Sequence, residues 1–159
     1  MIGNHPANTW RTLSGEEWEY LLVTRQVNGG AGYSVVRLQY GNTTRDTISG
    51  LILYPDNFKW SDADIADEDI IAVGGGNFSE VKASKWAALE KAGCVFLPMA
   101  GVRNNAGVLP DGTLGLRAMY WSSTPSGTAS AEVLGIESSA YKAIEGTFTS
   151  CAVRLVKNY

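Results

Sequence analysis

Apolar residues in this chain come in short runs broken by glycine-bearing turns, a pattern that leaves room for small strands and short helices and for little else. The last third is the clearest case. Tyr120-Trp121-Ser122-Ser123-Thr124 opens it as an aromatic turn, Cys151-Ala152-Val153-Arg154-Leu155-Val156 closes it as a compact apolar strand, and the residues between are mostly small or polar. Such a segment reads as a fixed frame carrying a display surface. Within it, Ala131 to Glu137 alternates through Leu134 and Ile136. With those two inward, the period of two turns Val133, Gly135 and Glu137 outward, and the loop that follows needs no core contact of its own.

The rest of the chain divides at its turns. Leu13, Trp18, Leu21 and Leu22 recur at helical spacing behind Ser14, which can cap a helix that ends near Thr24-Arg25, with Glu16 and Glu17 where the helix dipole favours anions. Tyr33 to Tyr40 and Ile48 to Tyr54 predict a hairpin at a small sheet edge. A second helix is expected from about Glu80 to Ala92, stopped by Gly93. Short strands follow at Cys94 to Pro98, Met119 to Ser123, Ala131 to Glu137 and Ala152 to Lys157. The fold class is therefore α+β: two helices packed on short, mostly antiparallel strands. Met1 to Thr9 is expected to be a mobile N-terminal segment and residues 10–159 a single domain.

Composition excludes several functions. The 159 residues are 45% hydrophobic and 18% charged, enough for one core, and a net charge of −3 provides no basic field for a phosphate backbone, so nucleic acid is not an expected partner. No run approaches the roughly 18 apolar residues of a membrane span, and Met1 to Pro6 lacks the regions of a signal peptide. Direct membrane insertion is not expected. Cys94 and Cys151 each lie in an apolar run; two buried free thiols are the simpler reading and a bridge between their strands the other.

Candidate chemistry is sparse. The single histidine, His5, leaves little material for His-based triads or metal sites. Ser79-Glu80-Val81-Lys82 has Ser-x-x-Lys spacing without the companion motifs of penicillin-recognising enzymes, and reads as a helix cap with a solvated lysine. Gly74-Gly75-Gly76-Asn77 lacks the Lys-Ser/Thr of a phosphate loop and reads as a connector. The acidic stretch from Asp62 to Asp69 lacks calcium-loop spacing and reads as a solvated surface loop. Pro110-Asp111-Gly112 marks a turn. Trp10, Trp18, Trp86 and Trp121 read as structural. Arg103 and Arg154 call for structural pairing wherever their head groups are covered.

Trp10-Arg11-Thr12-Leu13 with Glu17-Trp18, Leu53-Tyr54-Pro55-Asp56, Trp86 with Leu89-Glu90, Gly93 to Gly101 with Arg103, Tyr120 to Thr124, and Val153 to Val156 follow one another in an order that resembles the Fibrobacter succinogenes major paralogous domain of gut Bacteroidetes. That family is similar to the C-type lectin-like fold and, more distantly, to formylglycine-generating enzymes. Only nine residues precede Trp10, Ser150 stands where members tend to have Gly, and an Arg usual near Thr147 is missing. The catalytic cysteines and metal ligands of formylglycine generation have no match, so no enzyme activity, cofactor or metal is carried over.

Variable proteins of diversity-generating retroelements are similar to this chain between the Trp-Ser-Ser stretch and the Val-Arg-Leu-Val strand. The resemblance implies a replaceable ligand-binding face made of Ser126, Thr128, Val133, Gly135, Glu137, Tyr141, Lys142, Glu145, Thr147 and Thr149. It implies an adhesin or receptor-binding module outside the cell, on a cell surface or on a phage particle, whose partner is a protein or glycan. A structural surface or virion subunit is the alternative reading, and an enzyme related to formylglycine generation a further one.

Overall fold

The computed structural model describes residues 6, 8–27, 29–41, 46–63, 79–103 and 114–157. His5, the glycine run 74–77, the turn 110–112 and most of the acidic stretch lie outside them.

The described residues form a mixed α+β structure, mostly strands with two short helices. β1 (Trp10–Thr12) pairs antiparallel with β11 (Leu155–Lys157), so the two ends of the fold are joined. Ser14 caps α1 (Gly15–Glu19) through a capping box: its hydroxyl accepts from the Glu17 N–H at 3.1 Å, and the Glu17 carboxylate accepts from the Ser14 N–H at 2.8 Å. The helix widens into a π-type turn over Tyr20–Thr24, and together they bury Trp18 and Leu22. A small ribbon, β2 (Gln26–Val27) with β3 (Gly30–Ala31), follows.

β4 (Tyr33–Gln39) and β5 (Thr47–Leu53) form the predicted hairpin. They are not a sheet edge. β6 (Ser79–Val81) lies parallel along β4 and β7 (Val95–Pro98) antiparallel along β5, giving the order β6-β4-β5-β7. The hairpin is central because it is apolar on both faces. Val36, Leu38 and Ile52 belong to a core with Val81, Leu89 and Cys94, whereas Val35, Leu51 and Leu97 belong to a second core with Trp18, Tyr120 and Leu134.

The second helix, α2, spans Ala83–Lys91 rather than starting at Glu80. The expected first turn is β6, because Ser79 and Val81 point inward and the strand pairs with Val36 to Leu38. Ser79 of the Ser-x-x-Lys pattern is thus a buried strand residue. Lys82 stands at the helix N-cap, where no side chain caps the first turn.

The last third is a three-stranded antiparallel sheet in the order β10-β9-β8: β8 (Ala118–Pro125), β9 (Ser130–Ile136) and β10 (Ala140–Gly146). The strand expected over Met119 to Ser123 is β8, which runs on through the stretch also read as an aromatic turn, with a register shift between Trp121 and Pro125. β8 is fastened to α1, since the Ser123 N–H donates to Leu13 O at 2.9 Å and the Gly15 N–H donates to Thr124 Oγ1 at 2.9 Å. It is also fastened to the segment before β11 by a parallel bridge from Tyr120 to Ala152. Tyr120 donates from its hydroxyl to Pro98 O at 2.8 Å, and burial pushes its phenol up to about 12 despite the nearby Arg154. Trp18 is fully buried; Trp10, Trp86 and Trp121 are half-buried. Cys94 is buried, Cys151 is half-buried, and both are free thiols. No described helix is long and apolar enough to cross a membrane.

Candidate functional site

The three-stranded sheet positions the ten candidate residues, and it separates them. The β8–β9 turn carries Ser126 and Thr128, and Gly127 takes a φ of 78° that only glycine adopts without strain. The Ser126 N–H donates to Ser130 O at 2.8 Å, closing that turn. The turn after β10 lies beside it, because the Thr147 N–H donates to Ala129 O at 2.9 Å. Thr149 closes the second turn, its N–H reaching Gly146 O at 2.9 Å and its hydroxyl Glu145 Oε2 at 3.3 Å. Ser126, Thr128, Glu145, Thr147 and Thr149 are thereby gathered at one end of the sheet.

Phe148 stands among them, 67% exposed. The sequence reading missed it. The signal was available, an aromatic residue flanked by Thr147 and Thr149, but one apolar residue in a polar run has no period by which to place it on a surface.

Gly135, Glu137 and Tyr141 lie at the other end of the sheet, six residue steps along β9, about 20 Å away. The Tyr141 hydroxyl donates to Glu137 Oε1 at 2.9 Å, and Arg117 Nε lies 3.2 Å from the same oxygen. Burial, then the hydrogen bond to Glu137, raises the Tyr141 phenol, while Arg117 opposes the rise. Arg117 was not among the predicted residues; it precedes β8, and only the antiparallel register brings it to the β9–β10 turn. Lys142 points to the opposite side of β10, toward α1, where its ammonium meets Glu19 at 2.9 Å and Glu132 at 3.8 Å. The hydrogen bond to Glu19 raises its pKa.

Val133 is a correction. It is 1% exposed and belongs to the interior, not to a display face. Its parity is as predicted, opposite to Leu134 and Ile136, but β9 is the central strand, and in register Val133 lies between the half-buried Trp121 and Ala143. Gly135 is also buried, beneath the ring of Tyr141. Of the three residues expected to turn outward along β9, only Glu137 is exposed.

Among the described residues, no group of three or more His, Cys, Asp and Glu side chains is placed to hold a metal ion. Arg103 and Arg154, expected as paired if covered, are both exposed. No family model, no curated protein and no solved structure matches the chain.

Proposed function

We propose that this chain is a non-catalytic recognition module of the C-type lectin-like kind, which binds a protein or glycan outside the cell through the turn-bearing end of its three-stranded sheet. One observation carries the reading: the Phe148 ring, 67% exposed, lies over Gly146 at a pair of adjoining turns whose other side chains include Ser126, Thr128, Thr147 and Thr149. An exposed ring edged by hydroxyls supplies apolar contact and hydrogen bonds together, the combination found at binding hot spots. The turns are closed by backbone hydrogen bonds, so side chains can change there with small effects on folding. That is also what diversification by a retroelement would require.

The test is to probe the labelled protein against glycan and cell-surface protein arrays, with Phe148→Ala and Thr147→Arg alongside. The expected result is a ligand whose binding falls at least about tenfold in both variants while their melting temperatures stay near that of the parent. Absence of any ligand on both arrays, or a ligand indifferent to both substitutions, removes the proposal.

A second reading, a self-assembling structural subunit, is favoured by the outer edge of β10. Bonds from the Glu137 N–H to Ser139 O and from the Thr147 N–H to Ala129 O place the odd-numbered residues in the ladder with β9. Lys142 and Ile144 therefore turn their backbone groups outward, and Ile144 is 61% exposed. Concentration-dependent oligomers that dissociate in Ile144→Lys would favour this reading over recognition.

A further inference from the structure

A pocket of about 270 Å³ lies between the α1 segment, the ends of β5 and β7, and β11. It shares no residue with the turn surface or with the Arg117 cluster. Leu13, Leu21, Leu53, Leu97 and Val156 make its lining apolar. The polar side chains that complete it among the described residues are Trp18, Arg25, Tyr54 and Arg154, and none is acidic.

Of the two cations in this set, Arg25 is engaged by the fold and Arg154 is open. Arg25, 9% exposed, is held by Nη1 on Asp56 Oδ1 at 2.7 Å and by Nη2 on Gly32 O at 3.2 Å, which leaves its buried Nε–H without an acceptor among the described residues. Trp18, 2% exposed, carries a buried Nε1–H in the same condition. Both N–H groups are enclosed by the fold and reach no bound molecule, so Arg154 is the donor open to one. Arg154 is exposed, and its guanidinium pairs with no carboxylate among the described residues, although its charge reaches Tyr120.

We propose that this pocket binds a small organic monoanion, a carboxylate with an apolar body. The leucines bury the body, and the carboxylate meets the exposed guanidinium of Arg154 at the pocket's edge. A planar guanidinium suits a carboxylate because two parallel N–H groups match its two oxygens. A single unpaired cation among neutral or already engaged donors suits one negative charge better than two. An ammonium ligand is disfavoured here, since the nearest carboxylate, Asp56, is engaged by Arg25.

Isothermal titration of the whole chain with hexanoate, acetate and hexylamine tests this. Hexanoate is expected to bind. Acetate, lacking the body, should bind at least about tenfold more weakly, and hexylamine should give no saturable heat. Arg154→Gln should weaken hexanoate by about tenfold or more with little change in melting temperature. Leu21→Trp, which fills the cavity, should abolish binding. If Leu21→Trp loses its circular dichroism signal, the decision rests on Arg154→Gln and the amine. Failure of hexanoate to bind at millimolar concentration, equal binding by Arg154→Gln, or equal binding of hexylamine overturns the proposal.

Discussion

Gly135 lies directly under the ring of Tyr141. A Cβ at position 135 would come 2.5 Å from Tyr141 Cε2 and Cζ, so the absence of a side chain is what seats the ring and lets its hydroxyl reach Glu137 at 2.9 Å. Gly135→Ala is expected to push the ring aside and destabilise the fold by about 1–2 kcal/mol. Tyr141→Ala placed on top of it should recover much of that loss, because the clash goes with the ring. A urea-melt double-mutant cycle measures this, and additive single effects would show that the two residues do not meet in solution.

The interior position of Val133 separates frame from display. Val133→Asp buries an unpaired carboxylate in the central strand and is expected to destabilise by at least about 3 kcal/mol, or to prevent folding. Thr128→Asp, in an exposed turn of the same sheet, should stay within about 0.5 kcal/mol of the parent. Chemical denaturation of the pair decides it. Comparable losses at both sites would mean that the turn is not the tolerant surface a recognition face needs.

Local chemistry was the legible part of this fold. The Ser14 cap and the acidic first turn of α1 are contained within a few residues, and β4 and β5 announce themselves by β-branched and apolar runs set between turns. Long-range pairing was not legible. Ser79-Glu80-Val81 is compatible with a helix start until β4 offers it a parallel partner, and β4 and β5 look like an edge until β6 and β7 flank them. The segment of β10 reads as loop in the sequence because it carries little core: of its residues Ala140 packs against a core cluster, while Ile144 faces solvent. In the candidate site, parity along β9 was read correctly, but parity says only which side a residue takes. Whether that side is water or protein depends on register with β8 and β10, which buries Val133 between Trp121 and Ala143 and sets the Tyr141 ring over Gly135.

Acid should probe the start of α1. Glu17 is held down at about 2 from an ordinary 4.5, first by its hydrogen bond with Arg11 and then by the Ser14 N–H, and the Arg11 guanidinium meets both carboxylate oxygens at 2.5 and 2.6 Å. A carboxylate depressed in the fold adds stability that is complete above its unfolded value and is lost as pH falls from 4.5 toward 2. The pair is substantially exposed, so the contribution is expected to be under about 1 kcal/mol and to shrink in salt. Thermal melts between pH 2 and 6 should show a smaller acid-side decline for Glu17→Gln than for the parent. Identical declines would place the acid sensitivity elsewhere.

Alkali should probe the two thiols from the other side. Burial pushes Cys94 up to about 12 and Cys151 up to about 11, from an ordinary 9.0. Both are therefore protonated at neutral pH, and since the thiolate is the nucleophile, the native protein should resist alkylation. At pH 8 the shift at Cys151 corresponds to roughly 100-fold less thiolate than in a free peptide. Cys94, in the core with Leu89 and Val81, should be slower still and become reactive on unfolding. The same shifts work on stability with the opposite sign to Glu17: a thiol that keeps its proton only in the fold adds stability below about pH 9 that declines as pH rises toward 11 and 12, where the folded groups ionise. Mass spectrometry after iodoacetamide treatment, with and without urea, resolves the two sites. Native Cys151 reacting at the rate of a free peptide thiol would mean that the segment between β10 and β11 opens readily, and the bridge from Tyr120 to Ala152 would then fail to hold the recognition end of the sheet in place.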